Sequence, residues 1–150
     1  FHITAGRWGA DGIRVAPPKA NRLAGTVSDI PLSHTRCPVA HQQHQSCLDA
    51  CVRCAQECEH CADACLSESD VKMMAECIRL DRDCAEACWL AAAFISRGSR
   101  FAAAVCRVCA EVCDACGTEC EKHSHADHCR RCAEACRRCA EECRRMAGVA

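Results

Sequence analysis

Residues 47–65 read Cys-Leu-Asp-Ala-Cys-Val-Arg-Cys-Ala-Gln-Glu-Cys-Glu-His-Cys-Ala-Asp-Ala-Cys. The six cysteines are separated by steps of four, three, four, three and four. A step averaging 3.5 residues is the seam period of an α-helix, so all six thiols share one face. Asp49, Arg53, Gln56, Glu57, Glu59 and Asp63 lie between them and read as the polar outer face. Ala fills many flanking positions, which favours helix and lets neighbouring helices approach closely.

The seam recurs along the chain. Cysteines fall at 77, 84 and 88, at 106, 109, 113, 116 and 120, and at 129, 132, 136, 139 and 143. Polar breaks separate the groups: Ser67 to Asp70 with a Ser-x-x-Asp capping pattern, Gly98 between Ser96 and Ser99, and His123 to Asp127, while Gly148 follows the last seam. The spacing predicts helices over 46–66, 70–97, 100–122 and 126–147. Short connections make neighbours antiparallel, so the expected fold is all-α: an antiparallel up-and-down four-helix bundle with a cysteine-lined interior.

Composition agrees with a core of this kind. Of 150 residues, half are hydrophobic, and 27 Ala and 20 Cys leave 28 larger apolar side chains. Nine of these lie in the first 36 positions, so the following 114 residues have 19. Thiols are among the most readily buried groups and can replace the missing hydrocarbon. Residues 1–40 hold all four Pro and four of the seven Gly without sustained periodicity, and read as a flexible N-terminal tail before a bundle over 41–150. A net charge of −1, with three Phe, two Trp and no Tyr, gives no footprint for nucleic acid. No run is long and apolar enough to span a bilayer, and no export signal is visible in the first 36 residues.

The thiols admit several chemistries. Side chains at i and i+4 of a helix have Cβ atoms about 5–6 Å apart, too far for a disulfide at about 3.5–4.5 Å, so a soft metal fits the seam better. Zinc on four thiolates leaves two negative charges per site, and a column of such sites is expensive to bury. Copper(I) at about one ion per thiolate, with sulfurs bridging, leaves the column near neutral. A zinc or other divalent-metal buffer is the alternative. A thiol redox or iron–sulfur electron-transfer protein is less favoured, because Cys-Pro occurs only at Cys37–Pro38 and no strand pattern accompanies the C-x-x-C pairs. No catalytic constellation is evident, and the expected role is not enzymatic.

His123, His125 and Met74 extend the seams at one end of the expected bundle, beside Cys65, and read as softer ligands at a mouth. His128 is a weaker candidate there, His60 a surface residue, and His44 and Met146 weaker candidates at the opposite end. At that opposite end Trp89, Leu90, Phe94, Ile95 and Phe101 read as an apolar plug.

Residues 41–147 resemble the bacterial copper storage proteins, cysteine-lined four-helix bundles that hold many copper(I) ions. The resemblance rests on Cys-Val-Arg-Cys-Ala-Gln-Glu-Cys-Glu-His-Cys-Ala-Asp-Ala-Cys (51–65), Glu-Cys-Ile-Arg-Leu-Asp-Arg-Asp-Cys-Ala-Glu-Ala-Cys (76–88) and the His-rich turn before Cys129. It is strongest to the branch without an export signal, which implies a cytoplasmic store and a homotetramer of bundles. Carried onto this chain, it implies copper on the pairs Cys47 and Cys51, Cys54 and Cys58, Cys61 and Cys65, Cys84 and Cys88, Cys109 and Cys113, Cys116 and Cys120, Cys132 and Cys136, and Cys139 and Cys143. Cys77, Cys106 and Cys129 would add bridging sulfurs, and Cys37 is left out.

Overall fold

A computed structural model describes residues 40–148; the expected N-terminal tail before Ala40, including Cys37, lies outside the described residues. A short helical turn, α1 (Ala40–Gln43), leads into four long helices: α2 (Gln45–Cys65), α3 (Ala75–Ser96), α4 (Ala102–Lys122) and α5 (Asp127–Ala147). No strand occurs among the described residues. The four long helices form a ring in chain order, with α5 closing against α2. Sulfur contacts between early α2 and late α5 (Cys47 to Cys143, 3.9 Å) and between late α2 and early α5 (Cys61 to Cys129, 3.8 Å) set those two helices antiparallel. The up-and-down bundle is therefore as expected, and no described helix is long and apolar enough to cross a membrane.

Helix ends follow local chemistry. Gly98 has φ +61°, and after it the Ser99 N–H donates to the Phe94 carbonyl (3.0 Å) while the Gly98 N–H donates to that of Ile95 (3.0 Å). This pair of bonds is the Schellman arrangement, and it needs a residue that adopts a left-handed conformation at little cost. Gly148, φ +70°, caps α5, whose first turn carries Asp127 and last turn Arg144 and Arg145, in the sense the helix dipole favours. The largest departure from expectation is the start of α3, at Ala75 rather than 70. Residues 70–74 form tight turns instead, with Met73 N–H donating to the Asp70 carbonyl (3.1 Å) and Met74 N–H to that of Val71 (3.1 Å). Asp70 therefore caps a turn, not the helix.

The interior consists of cysteine and alanine. All 19 described cysteines are buried, together with Ala55, Ala62, Ala85 and Ala91, and among the described residues the only larger apolar side chains buried with them are Met74 and Ile95. Exposed Trp89, Leu90 and Phe101 correct the expected plug: of its five residues Ile95 alone is buried, with Phe94 half-buried against the core. Helices lined by Ala and Cys pack too closely to admit an indole or a phenyl ring. Glu57, read as an outer-face residue, is also buried. Arg131 grips both its carboxylate oxygens at 2.9 Å and Arg53 adds a contact at 2.6 Å, so α2 and α5 are tied across a satisfied carboxylate.

Candidate metal-binding centre

Each seam points its thiols at the bundle axis, and the four rows merge into one column. Sulfurs meet across adjacent helices, as in Cys58 with Cys132 (3.5 Å) and Cys88 with Cys113 (3.6 Å). They also meet across the diagonal, as in Cys54 with Cys113 (3.9 Å) and Cys84 with Cys136 (3.8 Å). Within one helix, Cys54 and Cys58 are 4.0 Å apart, and Cys132 and Cys136 3.9 Å. None of the 19 is in a disulfide.

Several sets of four ligand atoms lie within 4.8 Å of one another: Cys51, Cys109, Cys139 and Cys143; Cys54, Cys58, Cys84 and Cys136; Cys54, Cys84, Cys88 and Cys113; and Cys58, Cys116, Cys132 and Cys136. The sets overlap. Cys54, Cys58, Cys84 and Cys136 each belong to two, so the set they form bridges its two neighbours, and the sulfurs make a continuous column along which adjacent ions can share ligands. At the Ile95 end Cys106 lies beside Cys143 and Cys47. Toward the other end Cys77 meets Cys120 (3.6 Å) and Cys65 (4.0 Å). Burial pushes the Cys65 thiol up, as expected where a thiolate leaves water.

One oxygen interrupts the sulfur. Asp81 is fully buried and accepts hydrogen bonds from Cys116 (3.1 Å), Cys132 (3.2 Å) and Cys120 (3.5 Å) at Oδ1, and from Cys77 (3.6 Å) at Oδ2. Burial first, and the neighbouring Cys132 second, push its carboxyl up to about 7. Sequence reasoning missed Asp81, although its spacing was informative: 77, 81, 84 and 88 continue the four-three-four seam, so Asp81 stands where α3 lacks a thiol.

At the end of the bundle that holds Cys65 the structure reorders the histidines. His128 Nδ1 lies 3.4 Å from Cys129 Sγ, 3.5 Å from Cys61 and 3.9 Å from Cys65, and these four groups form a compact ligand set. Its Nε2 is 3.0 Å from Glu68 Oε1, so the carboxylate can accept from an Nε2–H while Nδ1 faces the sulfurs. His123, His125 and Met74 line an adjoining open cavity of about 560 Å³ together with Met73, Glu68 and Glu119. Met74 is buried and His125 exposed, and the His123 Nε2 is buried without a hydrogen-bond partner, its nearest carboxylate oxygen, on Glu119, being 3.5 Å away. His123 and His125 rings meet edge-on at 6.4 Å. His60 is exposed, as expected; His44 is half-buried before α2, and Met146 is half-buried against the core.

Residues 40–148 match the copper storage protein family. Among solved structures, the chain is similar to a Cu(I)-bound copper storage protein, BsCsp3, at 48% identity and a TM-score of 0.66, over 69% of this chain and 96% of that one. It is similar to apo-Csp3 from Bacillus subtilis at 47% identity (TM-score 0.63; 69% and 97% of the two chains). A cytosolic copper storage protein from Streptomyces lividans, carrying five coppers, is 45% identical (TM-score 0.69; 73% and 96%). No curated relative shows significant similarity.

Proposed function

Because the chain belongs to the copper storage protein family, we infer that it stores copper(I), holding many ions on the thiolates of its interior and so keeping the metal from damaging the cell. The observation that carries this reading is the overlap of the four-sulfur sets. Shared sulfurs suit a monovalent, bridging ion, whereas divalent zinc on the same column would accumulate buried negative charge. The ligands in this reading are Cys47, Cys51, Cys54, Cys58, Cys61, Cys65, Cys77, Cys84, Cys88, Cys106, Cys109, Cys113, Cys116, Cys120, Cys129, Cys132, Cys136, Cys139 and Cys143. His128 joins them at the mouth, and Asp81 offers an oxygen within.

Copper is cargo here, and the role is storage without catalysis. Met74, His123 and His125 serve the passage of ions between solvent and the Cys61, Cys65, Cys129 and His128 set. Each incoming ion displaces thiol protons, so loading is favoured by rising pH. The store works in the cytoplasm, a reading supported by the cytosolic relative, and assembles as a homotetramer by likeness to the family.

Anaerobic titration of the reduced chain with copper(I) against a chromophoric chelator tests the function. The expected stoichiometry approaches one ion per thiol, up to about 19 per chain. Saturation at about four or five ions would point instead to closed four-thiolate sites and a divalent-metal buffer.

A further inference from the structure

The bundle carries its large apolar residues on the outside. Ala87, Leu90, Phe101, Ala104, Val105 and Val108 line an open groove of about 340 Å³ between α3 and α4, with Leu90, Phe101 and Val108 each at least half exposed. Contiguous apolar surface of this kind marks an interaction site more often than chance exposure.

Charges around the groove are polarised along the helices. Arg97, Arg100 and Arg107 lie toward the Gly98 turn, whereas Asp83, Glu86 and Glu111 lie toward the mouth. Among the described residues none of the six takes part in an ion pair within the chain. Arg97 and Arg100 instead stack on the Phe94 and Phe101 rings, at 4.0 and 4.7 Å. Other surface arginines, such as Arg137 and Arg145, find carboxylates on their own or a neighbouring helix.

We propose that the α3/α4 face pairs with the same face of a second copy, about a two-fold axis that lies in the interface and runs across the helices. Such an axis sets α4 antiparallel to its counterpart and brings the basic end of each face over the acidic end of the other. Placing Arg100 opposite Glu111 puts the axis near Val105 on α4; placing Arg97 opposite Glu86 puts it near Ala91 and Ala92 on α3. Both positions lie at the same level of the bundle, six to eight residues from the connecting turn on either helix, so a single axis satisfies both pairs. Val108 of one copy then lies over the small Ala103 of the other. An axis along the helices would instead set like charges together.

This assignment rests on the self-association put forward above, and the two can be tested apart. Light scattering on the full reduced chain, kept without oxygen, reads the mass. A wild-type monomer would overturn the self-association itself. With an assembled wild type, Leu90→Glu and Val108→Glu should each halve the mass with the helical circular dichroism unchanged, because both side chains face solvent within one copy. An unaltered mass in both variants overturns this face. Arg100→Glu alone should weaken the assembly by about tenfold, and Arg100→Glu combined with Glu111→Arg should restore it. A double variant no better than the single one overturns the axis.

Discussion

Asp81 sits one helical turn from Cys77 and from Cys84 on the same seam, where a thiol would be expected from the period alone. Its carboxyl, raised from 3.8 to about 7 chiefly by burial, binds a proton in the folded chain that the unfolded chain has already lost over that interval. The folded copper-free protein should therefore lose stability as pH rises from about 4 to 7, with about 4 kcal/mol as the upper bound of the effect. Asp81→Asn should flatten this dependence and raise the thermal midpoint at pH 7.5, measured anaerobically by circular dichroism. An unchanged pH profile in the variant would place the dependence elsewhere. His128 poses a different residue-level question, because its position next to Cys129 puts it off the strict seam and periodicity undervalues it. Only the fold brings its ring over Cys61 and Cys65 and Glu68 behind it. His128→Ala should slow copper(I) transfer from a chelator while leaving the final stoichiometry within about one ion of wild type; equal stopped-flow rates would remove His128 from the path.

At the scale of elements, the four seams were legible because a thiol row at a 3.5-residue step has no other reading, and Gly98 and Gly148 were legible because both occupy left-handed caps. The residues 66–74 were not. Ser67, Asp70 and the apolar Val71, Met73 and Met74 suit a helix start as well as the tight turns observed, and the choice is made by packing Met74 into the interior. Gly117 also escaped notice, lying inside a helical pattern where glycine costs about 1 kcal/mol relative to alanine. Its use is close approach: a Cβ there would meet Cys136 Cβ at 3.3 Å and the Arg137 guanidinium at 3.4 Å, where α4 and α5 press together. Gly117→Ala should change stability by less than about 1 kcal/mol, because the gain in helix propensity offsets the crowding. Gly117→Leu should destabilise by about 1–3 kcal/mol, as overpacking generally does. Thermal melts of the two variants compare them directly, and equal midpoints would show that α4 and α5 can separate without cost.

For the whole molecule, the sequence arithmetic located the shortage of large apolar residues, but not where the remaining ones go. Their place near the end of one helix and the start of the next suggested that Trp89, Leu90 and Phe101 would close one end of the bundle, whereas the narrow bore left by alanine and cysteine expels them to the surface. That same narrowness bears on stability without metal. The interior needs no ion to be filled, since sulfurs already approach one another at 3.5–4.0 Å, near van der Waals contact, with alanines buried among them. Salt bridges such as Arg131 to Glu57 and Arg137 to Glu121 tie the helices from outside, independently of metal. A zinc finger, by contrast, has too small a core to fold before its metal binds. The reduced, copper-free chain should thus give a helical circular dichroism spectrum with a cooperative melt, and copper(I) should raise the midpoint progressively as the ions bind the native state alone. A coil-like spectrum that became helical only on adding copper would show that the thiol column is assembled by the metal, and the preformed seams would then lose their place in the account of storage.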